Sequence, residues 1–185
     1  MEHHQARSES ARAAMTLLGG CGLAGLDGTV TGERAFSVRN EFPDVWYGLL
    51  DADGGDEVER RMRIALPLSR ADFSSPSDDG LWLQELSLFC VRKKGFVEEL
   101  PISRVRLLSP GGAVCSSAGV RTRAGIVSTR RATGMPWQPF IGCDPTGTWI
   151  FQLPDAQAQK AWFIDQLIVD LVLMTTVSAQ PPVLA

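Results

Sequence analysis

Residues 81–91 place apolar side chains at alternate positions. Leu81 and Leu83 come first; after a slip of phase near Glu85, Leu86, Leu88 and Cys90 follow. A period of two marks an extended strand whose successive side chains point to opposite faces. A one-residue slip inside such a run is what a β-bulge produces. The run predicts a central strand with a bulge, and it constrains the fold more than any other stretch of the chain.

Shorter runs repeat the pattern. Residues 35–39 alternate and read as a strand. In 58–66, Met62, Ile64 and Leu66 share one face, with Arg61 and Arg63 on the other. Pro67 suits a strand end but not a central ladder position. In 102–108, Val105 and Leu107 are out of phase with Ile102, Arg104 and Arg106. Residues 114–131 read as one or two weak strands; Arg121, Arg123, Arg130 and Arg131 would suit an anion patch, but a solvated strand face is the favoured reading. Residues 149–153 form a strand stopped by Pro154. Turn chemistry separates these runs at 51–56, 73–80, 92–95 and 109–112. The last element has two readings. Ile164, Leu167, Ile168 and Leu171 have helical spacing, but the β-branched residues of 168–177 favour a buried strand. The sequence predicts a helical turn over 156–161 and a strand over 167–177.

Two aromatic clusters flank this body. One runs from Phe36 through Phe42, Pro43, Trp46 and Tyr47 to Leu49; the other holds Pro136, Trp137, Pro139, Phe140 and Gly142, then Gly147 and Trp149. Aromatics beside Pro and Gly mark corners packed on a core. The fold class expected is all-β: an antiparallel β-sandwich, jelly-roll-like, of about eight strands over residues 32–182. Residues 1–31 are expected as a flexible or helical leader. Leu18-Gly19-Gly20-Cys21 has a lipoprotein-like look, but Glu2 and Glu9 offset Arg7 and Arg12, and the glycines weaken the apolar run, which argues against a cleaved signal.

A length of 185 residues suits one domain with a sizeable core. The balance of 18 basic to 21 acidic residues gives no electrostatic reason for a nucleic-acid or anionic-membrane partner. No apolar run reaches the roughly 18 residues of a spanning helix. Cys21, Cys90, Cys115 and Cys143 lack metal-site spacing; their even count would permit two disulfides in a secreted chain, and the favoured reading is buried reduced thiols. The only histidines, His3 and His4, lie in the leader, far from any candidate nucleophile. Asp51, Asp53 and Asp56 do not follow the EF-hand order, and Met62 stands where a bidentate Glu belongs. Asp78-Asp79 and Glu98-Glu99 are the remaining acid–base candidates, and adjacent loop carboxylates are usually solvated. No cofactor, metal or catalytic residue is expected. The candidate binding or structural aromatics are Trp46, Tyr47, Trp82, Trp137 and Trp149, with Trp162 beside them. Exposed, they would suit a glycan; buried, they are core and corner packing.

The two clusters resemble the C-terminal portion of the A subunits of bacterial insecticidal toxin complexes, the Tc toxins. Arg34 to Val38 followed by Phe42-Pro43-Asp44-Val45-Trp46-Tyr47 looks like that family's short strand and Phe-Pro-Asp-x-Trp-Tyr-like signature. Residues 136–142, 145–154 and 164–173 look like its closing pattern, in which Gly-x-Trp and Leu-Pro precede an acidic, apolar last strand. The resemblance spans roughly 32–182. It implies a β-rich, non-enzymatic assembly module whose partners are other toxin-complex subunits or further copies of the chain. A carbohydrate-binding sandwich is the alternative. No counterpart of the family's long upstream pore region is expected, so pore formation is not carried over. A detached module, a truncated remnant or a separately encoded part is expected, cytoplasmic before release or secreted by a non-classical route.

Overall fold

The computed structural model describes residues 23–24, 30–49, 62–73, 80–154 and 157–179. The aspartates at 51, 53, 56, 78 and 79 lie outside them, as does Cys21. The chain is mostly β. Its strands are β1 (Leu23–Ala24), β2 (Val30–Ser37), β3 (Arg63–Leu68), β4 (Trp82–Arg92), β5 (Pro101–Ile102), β6 (Arg104–Leu108), β7 (Val114–Ser117), β8 (Val120–Arg121), β9 (Ile126–Ser128), β10 (Gly147–Gln152) and β11 (Ile168–Ser178). Three of these are two residues long; the eight longer ones form the body. The helices are short: α1 (Val38–Glu41), α2 (Pro43–Gly48) and α3 (Gln157–Ile164), with 3₁₀ segments at Arg70–Asp72 and Ala132–Phe140. β1 and the first two residues of β2 fall within the stretch 1–31.

All pairings are antiparallel. The larger sheet has the order β1-β2-β11-β4-β9, the smaller β3-β10-β6-β7, and β5-β8 form a two-stranded ribbon. In the larger sheet Leu173 pairs with Phe36 and Leu88, and Leu88 with Val127. In the smaller, Trp149 pairs with Leu66 and Leu107. These two rows are buried and belong to one apolar core, the all-β sandwich the alternation predicts. The slip near Glu85 is a bulge: Thr176 pairs with Glu85 and Val177 with Leu83, leaving Gln84 unmatched. Pro67 sits in β3, which among the described residues is an edge strand paired with β10 alone.

Some expectations are corrected. The strand expected over 35–39 ends at Ser37. The Ser37 hydroxyl accepts from Asn40 N at 3.2 Å, and Glu41 Oε1 accepts from Ser37 N at 2.9 Å. This cap starts α1 at Val38 and overrides the alternation. Ile102 does not continue the phase of Arg104 and Arg106: the ladder breaks at Ser103, and Ile102 is buried in the ribbon with β8. Residues 114–131 hold three short strands rather than one or two. The final strand matches its expected span within one residue at each end, and the helical turn extends to Ile164.

Candidate functional site

The predicted aromatics do not converge on one surface. Trp137 and Trp149 are fully buried and meet in one cluster with Phe140 and Phe151. Trp149 lies 5.1 Å from Phe140 and 6.4 Å from Phe151, centroid to centroid, and Trp137 lies 6.1 Å from Phe151. The Trp149 indole N–H donates to Pro145 O at 2.9 Å, whereas Trp137 Nε1 is buried without a partner. The cluster forms because Pro136 and Pro139 lack N–H donors and favour tight 3₁₀ turns, which fold Trp137 and Phe140 inward. Gly147 follows with φ +126°, and a Cβ there would fall inside the Leu108 carbonyl, so only glycine can open β10 ahead of Trp149.

Trp46 is buried at another corner, edge-on to Phe163 at 5.6 Å. Its neighbour Tyr47 is 54% exposed. Trp82 is half-buried at the start of β4, and Trp162 is half-buried against Phe96 at 5.3 Å. One cleft of about 530 Å³ is lined by Glu99, Val120, Arg121, Thr122, Arg123 and Thr133 among others, without an aromatic ring. Another of about 400 Å³ between Pro67, Leu108, Pro110 and Thr148 has none either.

The outward faces of the sheets offer more. On the larger sheet Val172 stands between Ser37 and Phe89, and Phe89 pairs with Ile126. One register step away Met174 stands between Ala35 and Ser87. Phe89, Ile126, Val172 and Met174 are half-buried and Val91 is 41% exposed, so an apolar strip reaches solvent. Polar networks bound it. At one end Arg130 pairs with Glu85 and lies 3.9 Å from Glu33, while Ser87 Oγ donates to Ser128 Oγ at 2.8 Å. At the other end Asp170 accepts from Ser37 Oγ at 2.5 Å, Arg39 N at 3.0 Å and Leu171 N at 2.7 Å. A bulge at Val169 sets Asp170 opposite Val91.

The smaller sheet presents a different outer face. Gln152 pairs with Arg63 and Arg104, and Ile150 with Ala65 and Arg106. Arg63 and Arg104 are exposed, and Arg106 Nε is buried without a partner. Arg121, Arg123 and Arg131 are exposed as well, whereas Arg130 is tied to Glu85.

Of the candidate acid–base pair, Glu98 is exposed and Glu99 is a structural clip. Glu99 accepts from Thr122 Oγ1 at 2.5 Å, Ala124 N at 2.7 Å and Gly125 N at 3.0 Å, with Arg92 Nη1 at 3.5 Å. Burial disfavours its charge, but these donors outweigh burial and hold the carboxyl below its ordinary pKa. Among the described residues no three His, Cys, Asp or Glu side chains gather as a metal set, and no helix is long and apolar enough to cross a membrane. The sequence reading missed Asp170 as a network centre. A lone Asp in an apolar β-branched run was the available signal.

No protein-family model matches the chain, and no curated protein does. Among solved structures it is similar to a chain in the cryo-EM structure of Yersinia pseudotuberculosis TcaA-TcaB, with a TM-score of 0.54 and 13% identity. The match covers 81% of this chain and 10% of that one, so the chain spans about a tenth of that relative's length. The toxin-complex resemblance read from the sequence stands in its coarser form: a weak structural likeness to a chain of a Tc toxin complex, which is a likeness of fold.

Proposed function

We propose that this sandwich is a non-enzymatic assembly module that binds protein, either a subunit of a Tc-type toxin complex or a second copy of itself. The observation that carries this reading is the fold it shares with a chain of TcaA-TcaB, over most of its own length. The apolar strip around Phe89, Val172 and Met174 supports it, because an apolar patch with a polar rim is the usual composition of an interface. The burial of Trp137 and Trp149 takes two of the candidate stacking faces from the glycan reading, which leaves it Tyr47 and Trp82.

The test is light scattering after size-exclusion chromatography, on the full chain alone and mixed with purified subunits of a Tc-type toxin complex. A stoichiometric complex is expected, and Phe89→Glu or Val172→Lys should weaken it at least tenfold while leaving the melting temperature within a few degrees. A chain that stays monomeric with every such subunit, yet gives clear glycan-array hits lost on changing Trp82, would replace this reading with the carbohydrate-binding one. Turnover in a broad hydrolase screen, lost with Glu98→Gln or Glu99→Gln, would replace it with an enzymatic one.

A further inference from the structure

Cys115 and Cys143 stand 28 positions apart in sequence and 3.8 Å apart in space, sulfur to sulfur. Both are half-buried, and both face one carbonyl: Pro139 O lies 3.2 Å from Cys115 Sγ and 3.5 Å from Cys143 Sγ. Cys115 sits on β7, the edge strand of the smaller sheet opposite β3, paired with Leu107. Cys143 follows the 3₁₀ segment that closes this end of the core; its N–H donates to Phe140 O at 3.0 Å and its carbonyl accepts from Leu83 N at 2.9 Å. The backbone on both sides is therefore fixed by strand and turn hydrogen bonds, and the sulfurs meet because the fold brings them together.

We propose that Cys115 and Cys143 are a disulfide-forming pair that an oxidised low-molecular-weight disulfide, such as oxidised glutathione, closes into a covalent clip between the edge strand and the aromatic corner. A disulfide needs its sulfurs at about 2.05 Å, so they must approach by less than about 2 Å, within reach of side-chain rotation. The chemistry is two exchanges. One protein thiolate attacks a sulfur of the reagent; the reagent's S–S bond breaks, a mixed disulfide forms and one glutathione leaves as thiolate. The second protein thiolate then attacks the protein sulfur of that mixed disulfide. The Cys115–Cys143 bond forms and the second glutathione leaves. The protein gives up two electrons and two protons, and one glutathione disulfide becomes two thiols.

Among the described residues the one other thiol, Cys90, does not compete. Cys90 lies in the core, where burial pushes its thiol up to about 12. Burial, with S–H donation to Cys115, raises Cys143 to about 11, so exchange is slow at neutral pH and quicker in mild alkali. Closing a 28-residue loop restricts the unfolded chain and stabilises the fold, the usual effect of a cross-link between strain-free positions.

The experiment incubates the full-length native protein with oxidised glutathione at pH 8.5, quenches with acid and maps peptides without reduction. The expected product is a Cys115–Cys143 linked peptide, with a melting temperature about 5–10 °C higher that dithiothreitol reverses. Cys115→Ser and Cys143→Ser should each abolish the linked peptide and the gain, and leave a glutathione adduct on the remaining cysteine. The peptide map on the unaltered chain decides the matter even if a variant folds poorly. The inference is overturned if both cysteines carry separate glutathiones, if cross-links run to Cys21 or Cys90, or if both thiols stay free under conditions that oxidise the unfolded chain.

Discussion

The Ser37 hydroxyl and the Asp170 carboxylate meet at 2.5 Å across 133 positions of sequence, and the same carboxylate holds Arg39 N. This contact fixes the turn from β2 into α1 against the middle of the larger sheet. Asp170 is buried, so removing it strands a hydroxyl and two backbone N–H groups. Asp170→Ala should cost about 3 kcal/mol in a urea melt, and Ser37→Ala about 1–2 kcal/mol. An Asp170→Ala protein within about 0.5 kcal/mol of the parent would show the network to be dispensable.

Trp149 and Trp137 are equally buried but differently satisfied. Trp149→Phe breaks the donation to Pro145 O, whereas Trp137→Phe removes an N–H that has no partner. Trp149→Phe should therefore be the more destabilising by about 1 kcal/mol, although either Ala variant loses about 3–5 kcal/mol. Equal melting temperatures for the two Phe variants would contradict the assignment.

Gly147→Ala should lower stability by about 3 kcal/mol, because its φ of +126° strains any side chain and a Cβ meets the Leu108 carbonyl. Gly111→Ala, where a Cβ would meet nothing, is the control and should sit near the parent. Thermal melts of both variants check this.

Glu99 sets an acid limb. Its folded-state pKa lies below its ordinary 4.5, so the stability it supplies is complete above that value and is lost as pH falls through the depressed pKa. Chemical melts from pH 7 down to pH 3 should show the parent losing more stability than Glu99→Gln below about pH 4.5. Parallel curves would remove Glu99 from the acid response.

Much of this fold was legible in the alternation. The 81–90 run, its bulge and the β-branched final strand are local patterns, and local patterns survive in sequence. Val38 shows the limit. It continues the alternation of 35–37, and only the Ser37 cap and the tie to Asp170, a contact of the finished fold, turn it into a helix. Exposure was equally illegible: Trp46 and Tyr47 are neighbours, yet one is 5% exposed and the other 54%. Cys115 and Cys143 could be paired only once β7 and the 3₁₀ corner were placed side by side.

The order β2-β11-β4 has a consequence for biosynthesis. β2 and β4 are not neighbours: apart from the short ladders β2 makes with β1 and β4 with β9, they are joined through β11, the last of the described strands. A ribosome that has delivered residues 30–167 has delivered a smaller sheet that can pair internally and a larger one with its middle missing. The edges of β2 and β4 that face β11 then wait, open, for residues 168–178 to leave the exit tunnel. Folding of this domain is in that sense decided at its end, and a chain stopped short of Ile168 exposes two open edges for any neighbouring strand to fill.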